Sequence, residues 1–168
     1  MNHIILIGFM GAGKTTLGRR LARALRLTFT DTDDRIVARV GMSVTAIFDQ
    51  YGEEYFRELE TEMLQELLEE KERCVVSVGG GLPMREENQV YLKRLGRVVY
   101  LRAGVQTLMG RLGRDKSRPM LKAGDLRSKI EELMAIRQDT YEKTADLIID
   151  TDGKGFERLI LEISEKIS

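Results

Sequence analysis

Tryptophan is absent from the 168 residues, cysteine and histidine occur once each, and proline occurs twice. Each scarcity closes a class of chemistry. The lone cysteine, Cys74, excludes an intrachain disulfide and any cysteine-cluster metal site, and its place in an apolar run marks it as a buried strand residue. His3 has no second imidazole to share a metal or a proton with, and at the start of a strand it reads as structural. Surplus charge is missing too. Lys plus Arg and Asp plus Glu stand at 27 each, so there is no overall electrostatic case for a nucleic-acid partner, which calls for a strongly basic face. No apolar run reaches the roughly 18 residues that cross a bilayer, and no charged-then-apolar leader is read at the start, so no membrane association and a cytoplasmic location are expected. There is no internal repeat and no low-complexity segment. The length suits one domain, residues 1 to 168.

Glycine, by contrast, is concentrated where it has consequences. The stretch GFMGAGKTTLG, residues 8 to 18, follows the apolar, β-branched run HIILI at 3 to 7 and precedes a helical pattern at 15 to 27 with Leu17, Leu21, Ala22 and Leu25 on one face. Strand, glycine turn and helix are the setting that G-x-x-x-x-G-K-S/T requires of a phosphate-binding loop, and Gly8, Gly13, Lys14 and Thr15 fit it. Gly11 and Gly13 let successive N–H groups turn inward as a nest for an anion, to which Ala12 and Thr16 belong as neighbours. The helix start adds unpaired donors and partial positive charge, Lys14 a full charge for the β- and γ-phosphates, and Thr15 a hydroxyl for magnesium. A plain tight turn would account for the glycines, but not for the lysine and threonine in register.

Further strands are expected weakly at 27 to 30 and clearly at 74 to 78, 97 to 101 and 146 to 150, with helices at roughly 33 to 50, 53 to 72, 86 to 95, 104 to 112, 125 to 144 and 154 to 167. This alternation predicts an α/β fold with a parallel sheet and helices on both faces. Two constellations then fall at strand ends, where such sheets bind ligands. FTDTDD at 29 to 34 carries Asp31 and Asp33, which in an extended segment would point the same way. One could hold magnesium and the other a substrate hydroxyl, while helix capping is the structural alternative. LIID at 147 to 150 is a rival magnesium-binding strand. Gly79, Gly80 and Gly81 admit close approach by a small ligand and offer N–H donors. Between Gly110 and Gly124 five cations, Arg111 and Arg118 among them, face a single acid. Beside a phosphate loop this reads as a lid that closes over polyphosphate, about 110 to 124, rather than a solvated basic loop.

Taken together, these motifs resemble the shikimate kinase family. The matching elements are GxxGxGKTT at 8 to 16, DTD at 31 to 33, FRELE at 56 to 60, GGG at 79 to 81, RPML at 118 to 121, and Arg137 with Tyr141 four residues on. Met120 stands where leucine is usual, and Asp139 where proline is common. The resemblance implies the nucleoside-monophosphate-kinase type of P-loop fold, with five parallel strands ordered 2-3-1-4-5 and a lid. It implies transfer of a phosphoryl group from ATP, with one magnesium ion, to the 3-hydroxyl of shikimate on the route to chorismate and the aromatic amino acids. Residue by residue, it implies shikimate binding by Asp33, Arg57, Gly80 and Arg137, with Gly79 and Gly81 joining Gly80 on the reading of the glycine run. Thr15 would hold magnesium with Asp31 beside it, Arg111 would pack on adenine, and Arg118 would reach the ATP phosphates. Catalysis would rest on Lys14, Asp33 and Arg118. By residue reading alone, Arg57 is a helical surface residue pairing with Glu53 or Glu60, and Arg137 is one exposed arginine among many. A gluconate-type or nucleoside-monophosphate kinase is the sibling alternative; a guanine-nucleotide switch would need N-K-x-D, which neither Asn2 nor Asn88 begins. No helix face has surplus apolar residues, so a monomer is expected.

Overall fold

The five residues of β1 (His3–Ile7) are all buried, which places this strand in the middle of a sheet. A computed structural model describes residues 2–113 and 125–167. The strands β1, β2 (Thr28–Asp31), β3 (Cys74–Ser77), β4 (Gly96–Arg102) and β5 (Leu147–Asp150) form one parallel sheet in the order β2-β3-β1-β4-β5. The expected order 2-3-1-4-5 is therefore the observed one.

Alternation along β1 divides the core. Ile4 and Leu6 face α1 (Lys14–Leu25) and α8 (Phe156–Ile167), packing with Leu17, Leu21 and Ile163. Ile5 and Ile7 face the other layer, with Leu64 and Leu67 of α4 (Glu53–Glu69) and Leu92 and Leu95 of α5 (Glu86–Leu95). Each such side chain contributes about 1.5–3 kcal/mol on burial, so β1, from which the next loop departs, is packed on both faces. A third cluster, Ile36, Ile47, Phe56, Leu59 and Met63, joins α2 (Thr32–Val40), α3 (Val44–Tyr51) and α4 into a shoulder beside the sheet. Two more helices, α6 (Val105–Leu112) and α7 (Leu126–Thr144), complete the described chain, with a short 3-10 turn at Leu82–Met84.

One expected element divides. The helix read over 33 to 50 is two helices: Gly41 adopts a left-handed φ of 78° and caps α2, and the Ser43 hydroxyl accepts the Ala46 N–H to start α3. The expected lid also changes character at its start, since Gly110 and Arg111 are helical residues of α6. From 114 to 124, including Arg118, it lies outside the described residues. Helix α7 runs unbroken through Asp139.

Candidate active site

The loop between β1 and α1 has the nest geometry that its glycines permit, with Gly11 and Gly13 at φ of 82° and 93°. No side chain caps α1, so its first-turn N–H groups face the cleft ready for an anion. The Lys14 ammonium is buried and donates to the carbonyls of Gly8 at 2.7 Å and Phe9 at 2.9 Å, folding the lysine over its own loop. Arg111 in the last turn of α6 donates to the Gly11 carbonyl at 3.0 Å. Gly11, Gly13, Lys14, Thr15, Thr16, Asp31 and Arg111 border a cleft of about 730 Å3, while Ala12 is packed into the core.

Asp31 does two jobs. Its Oδ1 accepts the N–H groups of Asp33 and Asp34, capping α2, while its Oδ2 accepts the Thr15 hydroxyl at 2.9 Å. The expectation that Asp31 and Asp33 share an extended segment is corrected here: the helix begins at Thr32, so Asp33 already lies in its first turn. The two carboxylates are divided by that cap, Asp31 toward Thr15 and Asp33 toward a second pocket. The rival acid Asp150 lies on the edge strand, where both its oxygens accept from Arg102, away from Thr15.

The second pocket, about 450 Å3, has an apolar side formed by Met10, Val44, Phe48 and Phe56 and a polar side formed by Asp33, Arg57, Glu60, Arg137 and the three glycines. The GGG loop is glycine because side chains press against it. A Cβ on Gly81 would lie 2.5–2.7 Å from the Arg57 guanidinium, and one on Gly79 would lie 2.8 Å from Glu60 Oε2 and 3.1 Å from Asp33 Oδ1. Thr32, fully buried, accepts the Gly79 N–H and ties this loop to α2. Arg57 does pair with Glu60 at 2.7 Å and, more loosely, with Glu53 at 3.9 Å, but its side chain is only 14% exposed and faces the pocket. Arg137 is buried at 4% exposure, its guanidinium 5.8 Å from the centre of the Phe9 ring. The two pockets share Met10, Asp33, Gly79 and Gly80, so Asp33 stands at the junction between a phosphate cleft and an acceptor pocket.

Glu60 is the site residue that sequence reasoning undervalued. Phe56, Leu59, Glu60, Met63, Leu64 and Leu67 are the buried stripe of α4, and a glutamate on such a stripe is the available signal. It is fully buried; Oε1 accepts from Arg57, and Oε2 has no hydrogen-bond partner among the described residues. Burial pushes its carboxyl from 4.5 up to about 7, opposed by Arg57 and reinforced by Asp33. Between those values the native state binds a proton that the unfolded chain has released, so Glu60's contribution to stability falls as pH rises through this window. Glutamine there cannot titrate. The thermal midpoint of the wild type relative to Glu60→Gln is expected to drop from about pH 5 to about pH 8; melting curves across that range that stay parallel would remove the assignment. His3 is structural, as expected: it is buried, and its Nδ1 accepts the Cys74 N–H.

A glycine nest with its lysine at the end of a central parallel strand, opening onto a pocket with two guanidinium groups, defines a P-loop kinase of a small anionic acceptor. The shikimate kinase family model matches residues 10–168. A shikimate kinase of Pseudomonas syringae pv. tomato is 44% identical over 168 residues, spanning 100% of this chain and 97% of that protein. The solved structure of a shikimate kinase from Acinetobacter baumannii in complex with shikimate superposes with a TM-score of 0.94 at 37% identity, covering 99% of this chain and 93% of that one. One from Aquifex aeolicus gives 0.84 at 37%, covering 97% and 94%. The chain belongs to the shikimate kinase family. It is an ATP-dependent kinase of aromatic biosynthesis.

Proposed function

We propose that the chain transfers the γ-phosphoryl group of ATP to the 3-hydroxyl of shikimate, with Asp33 as the residue that aligns the acceptor. The observation that carries this reading is the position of Asp33, which borders both the phosphate cleft and the acceptor pocket. Arg57 and Arg137 hold the substrate carboxylate, because guanidinium groups stay charged and pair with carboxylates in a plane. The N–H groups of the glycine loop and the carboxylate of Asp33 take the hydroxyls. Asp33 holds the reacting oxygen in line and accepts its proton as transfer proceeds. Glu60 keeps Arg57 facing the pocket. In the phosphate cleft the loop from Gly11 to Thr16 cradles the β- and γ-phosphates and Lys14 neutralises charge on the transferred group; Arg111 is assigned the packing contact on adenine that the family resemblance implies. Arg118, outside the described residues, is assigned the remaining positive contact on the phosphates.

The metal site fits magnesium. Thr15 and Asp31 supply a hydroxyl and a carboxylate 2.9 Å apart, hard oxygen donors of the kind that Mg2+ takes alongside phosphates and water. Thr15 would hold the ion directly and Asp31 directly or through water. When bound, the ion screens the negative charge between the β- and γ-phosphates. The enzyme is read as a cytoplasmic monomer without a nucleic-acid or membrane partner. Among the described residues no helix is long and apolar enough to cross a membrane, and of the large exposed apolar side chains Tyr51 and Tyr55 pair with each other, ring centres 4.7 Å apart, while Val90, Ile136 and Leu161 lie on three other helices.

The assignment is tested by Arg57→Ala and Arg137→Ala. Each leaves the substrate carboxylate partly unpaired and is expected to weaken shikimate binding by roughly 2 kcal/mol or more, about 30-fold, with ATP affinity nearly unchanged. Isothermal titration with each ligand separately measures this. An equal loss for both ligands would mean that the substitutions loosen the fold instead.

A further inference from the structure

Arg137 shares its face of α7 with Tyr141, one turn further along, and the two meet the glycine loop together. The Tyr141 ring is fully buried against Tyr100, with ring centres 5.0 Å apart, and its hydroxyl donates to the Gly80 carbonyl at 2.6 Å. The Arg137 guanidinium, one turn back on the same helix, lies close enough to that hydroxyl to oppose the upward push on its pKa. Burial keeps the phenol protonated, up at about 12 against the pull of Arg137, so it remains a donor. A side chain 61 residues away in sequence therefore fixes the plane of the peptide between Gly80 and Gly81.

The orientation of that peptide has a chemical result. No cis peptide bond occurs among the described residues, and in a trans peptide the C=O and N–H point in opposite directions. With the Gly80 carbonyl turned toward Tyr141, the Gly81 N–H is turned away from α7. Among the described residues no acceptor is bonded to the N–H of Gly80 or of Gly81, although both residues line the acceptor pocket. Buried N–H groups are rarely left without a partner, and a ligand oxygen is the partner that this place offers.

We propose that Tyr141 is a positioning residue of the acceptor pocket: one hydroxyl locks the Gly80 peptide so that the Gly81 N–H serves the acceptor, and steadies Arg137 for the acceptor carboxylate. It touches neither substrate. The proposal rests on the assignment of this pocket to shikimate, whose own failure would show as unaltered shikimate affinity in Arg57→Ala.

Tyr141→Phe isolates the hydroxyl. With ATP saturating, KM for shikimate is expected to rise roughly 10-fold or more, while kcat and KM for ATP stay within about twofold, a split that general loosening does not produce. Tyr100→Phe is the matched control, since the Tyr100 hydroxyl is buried in the same cluster without a hydrogen-bond partner among the described residues. It is expected to leave all three constants near wild type. A shikimate KM within twofold of wild type in Tyr141→Phe, or a parallel rise in both KM values, overturns the proposal. Amide NMR of the wild-type protein tests it even if Tyr141→Phe does not fold. The Gly81 N–H resonance is expected to shift as shikimate saturates the pocket, and one that does not move also overturns it.

Discussion

Lys14→Met is expected to lower turnover by roughly 1,000-fold or more, with shikimate affinity left near wild type. Methionine keeps most of the length and the apolar stem of lysine and removes only its charge and donors. That charge lies in a buried position in the lining of the phosphate cleft, held by the Gly8 and Phe9 carbonyls. Water there is a poor substitute, so nothing nearby replaces the neutralisation that the transferring group requires. Lys14→Ala is expected to behave alike. Steady-state kinetics on the folded variants measures the loss. Turnover within a few-fold of wild type would remove the glycine loop from the mechanism.

Asp33→Asn is expected to cut turnover by roughly 100-fold or more while nucleotide binding and thermal stability hold. The cap on α2 sharpens this test, because the side chain that accepts the Asp33 and Asp34 N–H groups belongs to Asp31. Asparagine at 33 leaves that cap whole. It keeps the shape of the junction between the two pockets and loses the basicity. If Asp33 served only the helix start, asparagine would be tolerated and turnover with saturating shikimate would stay within a few-fold of wild type.

The first third of the site was legible because its signals are local. HIILI, GFMGAGKTT and the leucines of α1 are consecutive, and strand, nest and helix follow from composition and period over some twenty residues. The division of α2 from α3 was also written locally, in Gly41 and Ser43, but the apolar spacing continues through both and hid the break. The acceptor pocket is different in kind. Arg57 on α4 and Arg137 on α7 meet only because both helices pack beside the loop that follows β3. No pattern within either helix announces that meeting; the family resemblance did. Glu60 lies between these cases, since its place on the apolar stripe and its pairing with Arg57 were visible but its full burial beside Asp33 was not. The separate tasks of Asp31 and Asp33 depended on where α2 starts, a one-residue matter that strand periodicity does not decide.

The most direct measurement is ADP release by the purified protein with ATP and magnesium, with shikimate, gluconate and nucleoside monophosphates offered in turn. The account predicts rapid, stoichiometric release with shikimate, formation of a phosphate ester at its 3-oxygen, and no comparable release with the others. Release that favours gluconate or a nucleoside monophosphate, or that ignores the acceptor altogether, would contradict it.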